Sequence, residues 1–243
     1  MTRKAVLLIA ATLALGGAAA GLLLASVGAS AGGNAQTVKF TASDLFVEIN
    51  ATDGDAGLQL NLDGEPWSAL ELVDPNGRVL MEVENSSELK SYGLTGLTFE
   101  SAEPPFDEQP LSEFTAKFPE GLYRFTGTTV DGRNIMGQDR LTHVFPVGPV
   151  VTAPTGDAVV PTSGLVVTWL PVTQPNGVKI VQYEVIVSNA DTGKDLSVEL
   201  PPSATNASIP QEFLTPGTEF ALEVLAREAS GNQTITEIAF KTE

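Results

Sequence analysis

Apolar and polar residues alternate in short runs along most of the chain, and no stretch after residue 36 shows a long apolar period of 3.6 residues. Leu58-Gln59-Leu60-Asn61-Leu62 is the clearest run, and its alternation predicts a strand with one buried and one solvated face. Asp74-Pro75-Asn76-Gly77 and Asp131-Gly132 each separate two such runs. Both turn sequences predict hairpins, because Pro presets one backbone angle and the Gly positions accept positive φ. The pattern is typical of an all-β protein.

One segment departs from this alternation. Between two prolines, residues 110–119 carry apolar side chains at helical spacing, at Leu111, Phe114 and Phe118. The spacing predicts a helix of about two turns that crosses between sheets. We interpret its aromatic stripe as part of the core rather than as a platform for a ligand.

The N-terminal segment has the parts of a secretory signal peptide. Arg3 and Lys4 precede an uncharged run over residues 5–27, and Ala29-Ser30-Ala31 offers small residues for processing. The prediction is a cleaved signal over residues 1–35, with a retained N-terminal anchor as the alternative, since the run is long enough to cross a bilayer. Both interpretations place the remainder outside the cytoplasm, in the periplasm, on the cell surface or in the secreted fraction.

Strand-like runs return at even intervals between residues 150 and 243, which is typical of an antiparallel β-sandwich. Pro154 lies early in this segment, Trp169 on its second predicted strand and Tyr183 on its third, followed by the corner Leu214-Thr215-Pro216-Gly217-Thr218-Glu219-Phe220. In these features the segment resembles a fibronectin type III domain. The family usually has Tyr at the last corner position, so Phe220 keeps the packing and loses a hydrogen bond. The resemblance implies a fold and leaves the function open.

Pro146-Val147-Gly148-Pro149 makes a short, stiff joint, and we place a domain boundary there, between residues 36–147 and 148–243. Residues 121–132 are similar to the closing hairpin of many bacterial immunoglobulin-like domains. The whole chain resembles bacterial exported proteins that pair such a domain with a fibronectin type III domain. The expected architecture is therefore all-β, with two tandem immunoglobulin-like β-sandwiches behind an N-terminal signal peptide.

The composition of the chain excludes several kinds of site and partner. The chain has 30 acidic and 13 basic residues, a net charge of −17, one His and no Cys. Without Cys there is no disulfide, thiolate nucleophile or zinc–sulfur site. The negative charge repels phosphate backbones, so we expect no nucleic-acid partner, and no membrane contact except through a retained N-terminal segment.

Catalysis has little support in the sequence. His143 lies in the alternating run Leu141-Thr142-His143-Val144-Phe145, and no Gly-x-Ser-x-Gly turn accompanies it. We therefore interpret His143 as structural and predict no catalytic residue, no cofactor and no enzyme activity. A carboxylate pair that hydrolyses carbohydrate is the alternative, although spacing along the chain does not show which two carboxylates would face each other.

A calcium site is a second alternative. Asn50-Ala51-Thr52-Asp53-Gly54-Asp55 and Asp63-Gly64-Glu65 supply the oxygen ligands that calcium prefers. The same residues are also common in ordinary turns, and that interpretation is favoured. We therefore predict no metal ligand.

The longest irregular stretch covers residues 100–110 and contains three prolines and four carboxylates. Long loops on rigid sandwiches often carry binding, so we take its central residues as the candidate contact loop: Glu103, Phe106, Asp107 and Glu108. A solvated crossover with Phe106 packed into the core is the competing interpretation.

Together these observations predict an exported, non-enzymatic binding or scaffold protein of the cell envelope or secreted fraction. Its expected partner is a protein or a glycan of the envelope or extracellular space. The alternatives are the carboxylate-dependent hydrolase and a calcium-stabilised surface module.

Overall fold

A computed structural model describes residues 37–243. The predicted signal peptide, residues 1–35, lies outside the described residues. Within residues 37–243, none of the helices has the length and hydropathy needed to cross a membrane.

The predicted turns join strands in the N-terminal half. Gly77 and Gly132 adopt positive φ in the two predicted hairpins, as the turn sequences require. The strands of this half are β1 (Val38–Lys39), β2 (Ala42–Asn50), β3 (Asp55–Val73), β4 (Val79–Glu84), β5 (Leu94–Glu100), β6 (Gly121–Thr129) and β7 (Asn134–Leu141). Two short helices lie between strands, α1 (Leu89–Tyr92) and α2 (Leu111–Lys117). The helix predicted between the prolines is α2, and its Phe114 is buried in the core.

The long strand β3 organises this half. Its first part pairs with β2 and β5, and its second part pairs with β4 and β6. The register shifts between Asp63 and Trp67, where Gly64 and Pro66 interrupt the strand. A side chain at residue 64 would collide with the ring of Phe40, which lies 2.9 Å from the position of a Cβ. Apolar side chains from both parts of β3 therefore meet in one core, which includes Leu60 and Leu72.

The C-terminal half contains the predicted sandwich. Its strands are β8 (Val150–Ala153), β9 (Ala158–Val160), β10 (Val166–Leu170), β11 (Ile180–Asn189), β12 (Lys194–Leu200), β13 (Asn206–Ser208), β14 (Glu219–Glu228) and β15 (Gln233–Thr242). Strands β13, β10 and β8 form one sheet, and β15, β14, β11 and β12 form the other. Trp169 and Tyr183 pack together in the core between them, with ring centroids 5.4 Å apart. The short β9 pairs in parallel with β15.

The two halves share a sheet. Strand β15 pairs in parallel with β2, with Gln233 opposite Glu48 and Ile235 opposite Asn50. The hydrogen-bonded sheet therefore continues from the first half into the second, and residues 37–243 belong to one compact unit. The domain boundaries at residues 35 and 147 stay predictions.

Candidate functional site

The shared sheet presents one continuous outward side across both halves of the chain. Residues that lie opposite each other on paired strands point to the same side of a sheet, as do residues two apart on one strand. The register links Glu100 with Gln59, Gly57 with Glu48, Glu48 with Gln233, Gln233 with Arg227, and Arg227 with Gln182. We call this side of β5, β3, β2, β15, β14 and β11 the junction face.

Three carboxylates meet on the junction face. Glu48 comes from β2, Glu100 from the end of β5 and Glu103 from the following loop, and one oxygen of each lies within 4.8 Å of the others. Gly57 makes room for this carboxylate trio, because a Cβ at residue 57 would lie 2.8 Å from Cγ of Glu103. The side-chain amide of Gln233 donates a hydrogen bond to Glu48, which ties the trio to the second half of the chain.

Asp55 lies on the same side of β3 as Gly57, two residues away, and is only 7% exposed. Its Oδ1 atom has no hydrogen-bond partner among the described residues. Burying a carboxylate oxygen without a partner is costly, so this atom marks a gap in the polar network.

Burial and mutual repulsion shift the protonation of these groups. Desolvation, together with the charge of Glu100, raises the pKa of Glu48 to about 7 and that of Glu103 to about 8. The pKa of Asp55 is also raised, first by burial and then by the charge of Asp53. Further across the junction face, burial and the charge of Glu237 raise the pKa of Glu223 to about 8. These carboxyl groups therefore release their protons less readily than ordinary carboxyl groups do.

The junction face also has an apolar part. Ile186, Leu225 and Ile235 form a small buried cluster there, separate from the two sandwich cores. Arg227 lies beside it, with its guanidinium 5.9 Å from the ring centroid of Phe46 and hydrogen bonds to Gln233. The hydrogen bond from Gln233 and, to a smaller extent, the positive charge of Arg227 lower the pKa of Glu48, against the larger effect of burial.

The structure separates the four residues of the candidate contact loop. Glu103 lies with Glu48 and Glu100 in the carboxylate trio. Phe106 packs against the first core, and its N–H donates to the carbonyl of Gly54. Asp107 and Glu108 are exposed. Any contact with a partner through this loop would therefore involve Asp107 and Glu108 first.

The oxygen-rich turns considered as an alternative calcium site do not lie together. Asp63 and Glu65 lie eight and ten residues beyond Asp55 on the same strand, on the order of 25 Å along it. Asp63 accepts a hydrogen bond from Thr41, and Glu65 pairs with Arg133. The carboxylates that do come together are Glu48, Glu100 and Glu103. Only Glu103 among them stands out in the sequence, as part of the candidate contact loop. Alternation in β2 and β5 would have placed Glu48 and Glu100 on outward faces, but it does not say which strands are neighbours.

His143 has a structural environment. Nε2 lies 2.8 Å from the carbonyl oxygen of Phe118, and the backbone N–H of His143 donates to Glu120 at 2.6 Å. The ring also lies against Phe145, with centroids 5.8 Å apart. These contacts fix the end of α2 against the segment that follows β7.

Comparison with known proteins identifies the second half. Residues 151–242 match the family model for the fibronectin type III domain, so this part of the chain is a fibronectin type III domain. Such domains are typically non-catalytic modules, commonly used for binding or as scaffolds. A comparison with curated proteins gives no significant match.

Among solved structures, the chain is similar to a two fibronectin type III domain segment from chicken tenascin, with 14% identity, 82% of this chain and 97% of that chain covered, and a TM-score of 0.31. It is also similar to the FN1–FN3 domains of chicken CNTN1, with 12% identity, 84% of this chain and 65% of that chain covered, and a TM-score of 0.32.

Proposed function

We propose that this chain is an exported, non-enzymatic binding or scaffold protein of the cell envelope or secreted fraction, with a protein or glycan as its partner. The observation that carries the proposal is the shared sheet between β2 and β15, which joins a fibronectin type III domain to a second β-rich half. A continuous sheet holds both halves in one orientation, and a fixed orientation suits a module that presents several surfaces to a partner.

Charge and exposure favour one contact region. Residues 37–243 hold all 30 acidic residues and 11 of the 13 basic ones, so a protein partner would present a basic surface. At the tip of the long loop, Asp107 and Glu108 are exposed next to a backbone held by Phe106. Exposed charges on a rigid support lose little conformational freedom on binding.

Binding is tested with the purified protein against a glycan panel and against envelope extract. We expect saturable capture of a defined partner, weakened by the double substitution Asp107→Ala/Glu108→Ala. The matched control is Asp191→Ala/Glu212→Ala, which removes two exposed carboxylates from the second half and should leave capture unchanged.

The carboxylate-dependent hydrolase has no support from the comparisons with known proteins. The same glycan panel examines it directly, through release of reducing ends. Turnover that disappears when one carboxylate of a pair is replaced would contradict the non-enzymatic proposal, as would the absence of any saturable partner.

A further inference from the structure

We infer that Asn176 is a site of spontaneous deamidation, at which the side-chain amide is converted to a carboxylate without an enzyme. The inference is independent of the proposed partner-binding role. It rests on a comparison between two identical tripeptides in different surroundings, Pro75-Asn76-Gly77 and Pro175-Asn176-Gly177.

The reaction needs only the chain itself and water. The backbone nitrogen of Gly177 loses its proton and attacks Cγ of Asn176, the bond from Cγ to the side-chain nitrogen breaks, and ammonia leaves. The product is a succinimide ring, and addition of water to either of its carbonyl carbons reopens the ring as aspartate or isoaspartate. Nothing is oxidised or reduced. Glycine at the following position favours the attack, because it places no side chain beside the attacking nitrogen.

The turn around Asn76 is held in place by several hydrogen bonds. The backbone N–H of Gly77, whose nitrogen would have to attack, donates to the carbonyl of Asp74 at 3.0 Å. The buried carboxylate of Asp74 accepts hydrogen bonds from the N–H groups of Asn76 and Arg78, at 2.9 and 2.8 Å. The turn also joins two paired strands, β3 and β4. Movement of Gly77 towards the side chain of Asn76 would disrupt these contacts.

The turn around Asn176 has much less support. It lies in the irregular segment 171–179, between β10 and β11, and both Asn176 and Gly177 are exposed. The N–H of Val178 donates to the carbonyl of Pro175 at 2.9 Å, which closes the turn. Among the described residues, the N–H of Gly177 has no backbone acceptor. Opening a segment with few hydrogen bonds costs little free energy, so this turn reaches the reactive geometry more often than the first one.

Deamidation would alter a segment that contacts the connection between the two halves. The carbonyl of Gln174, two residues before Asn176, accepts a hydrogen bond from the N–H of Val147 at 3.0 Å. Aspartate adds a negative charge to a chain whose net charge is already −17, and isoaspartate also lengthens the backbone by a carbon atom. The reaction would therefore change both the charge and the backbone path beside residue 147.

Peptide mapping of the purified protein tests the inference. The protein is kept in mildly alkaline buffer for several weeks, digested with trypsin and analysed by mass spectrometry, with a sample digested at the start as the correction for conversion during digestion. Cleavage after Arg140 and Lys179 releases a peptide in which Asn176 is the only asparagine. We expect deamidated product to accumulate several-fold faster at Asn176 than at Asn76, as two chromatographically separate isomers, aspartate and isoaspartate.

Unfolding provides the matched control. In concentrated urea the two tripeptides have lost their different surroundings, so Asn76 and Asn176 should react at similar rates. Asn176→Gln should abolish the reaction at this position in the folded protein, because the longer side chain does not close the same five-membered ring. Asn76→Gln should leave the conversion of Asn176 unchanged. Circular dichroism should show the native β spectrum for both variants, since both positions are exposed.

Three results would overturn the inference. The first is equal conversion of Asn76 and Asn176 in the folded protein, which would mean that the surroundings of the two turns have no effect. The second is conversion of Asn176 without isoaspartate, which would exclude the succinimide. The third is no conversion of Asn176 in the folded protein over a period in which it reacts in urea, because the turn would then protect it.

Discussion

Tyr123 makes, in the first half of the chain, the hydrogen bond that the fibronectin type III domain lacks. Its hydroxyl donates to the carbonyl of Pro119 at 3.0 Å, four residues upstream, as in the tyrosine corner of immunoglobulin-like sandwiches. The ring is fully buried, and burial raises the pKa of its hydroxyl to about 12. In the second half the corresponding corner ends in Phe220, which keeps the buried ring and has no hydroxyl.

Tyr123→Phe should lower the free energy of unfolding by about 1 kcal/mol, because the part-buried carbonyl of Pro119 loses its donor while the ring packing remains. Urea denaturation followed by circular dichroism measures the loss. Tyr92→Phe is the control, since Tyr92 is 77% exposed and its substitution should change stability by less than about 0.5 kcal/mol. Equal stability of both variants would show that the corner hydrogen bond contributes nothing.

Glu223 makes stability depend on pH. Its pKa is raised to about 8, first by burial and then by Glu237, with Glu48, Asp195 and Glu184 adding smaller repulsions. The folded state keeps this proton up to about pH 8, whereas the unfolded chain releases it near the ordinary value of 4.5. Because the folded state binds more protons in this window, stability is greatest at its acidic end and falls as pH rises through it.

Glu223→Gln removes this titration without changing shape. The melting temperature of the variant should exceed that of the unaltered protein at about pH 8.5, and the difference should shrink towards about pH 5. Glu219→Gln, exposed at the start of the same strand, should give a constant small difference. A difference for Glu223→Gln that does not change with pH would contradict the raised pKa.

At the scale of elements, Asn232 secures the contact between β15 and the first half. It is fully buried, its Oδ1 accepts a hydrogen bond from the N–H of Val47 at 2.9 Å, and its Nδ2 donates to the carbonyls of Thr142 and Val144 at 2.9 and 3.1 Å. The hydroxyl of Thr234 adds a bond to the carbonyl of Pro146 at 2.7 Å. Side chains of one half therefore satisfy backbone groups of the other.

Asn232→Ala should lower the free energy of unfolding by about 2–4 kcal/mol, since it leaves one buried donor and two carbonyls without their partner. Urea denaturation again provides the measurement. Asn206→Ala is the matched control, because Asn206 is exposed on β13. A loss no greater than that of the control would mean that water replaces these contacts at no cost.

Local elements could be predicted from the sequence because their signals are local. The turn Asp74-Pro75-Asn76-Gly77 is stabilised by residues within the turn itself. The N–H of Asn76 donates a hydrogen bond to the side chain of Asp74, and Gly77 adopts positive φ. The proline-bounded spacing of Phe114 and Phe118 likewise predicted α2. The pairing of β2 with β15 could not be predicted, because Glu48 and Gln233 are 185 residues apart and no local pattern relates them.

At the scale of the whole molecule, the candidate site could not be predicted because it is formed by residues that are distant in the sequence. Composition and alternation show an acidic chain with carboxylates on outward faces, and the loop over residues 100–110 was visible as an irregular acidic stretch. The carboxylate trio exists only because β5, β3 and β2 are neighbours and Gly57 leaves a space between them. Tertiary neighbours, which residue types alone do not specify, decided which carboxylates meet.

The connection between the two halves is more than a flexible linker. Each has its own apolar core, one including Leu60 and Tyr123 and the other including Trp169 and Tyr183. The sheet nevertheless continues across the boundary, so surfaces on both halves keep a fixed relation. A scaffold built this way would present a partner with a single shape.

Hydrogen exchange followed by mass spectrometry tests this central claim most directly. The N–H of Ala51 donates to the carbonyl of Ile235 at 2.9 Å across the boundary, and β2 pairs with β15 beside it. Peptides covering residues 45–52 and 232–238 should be protected as strongly as the core strand β14. Exchange of these peptides at the rate of the exposed turn at residues 201–203 would contradict the shared sheet, and with it the observation on which the proposed scaffold role depends.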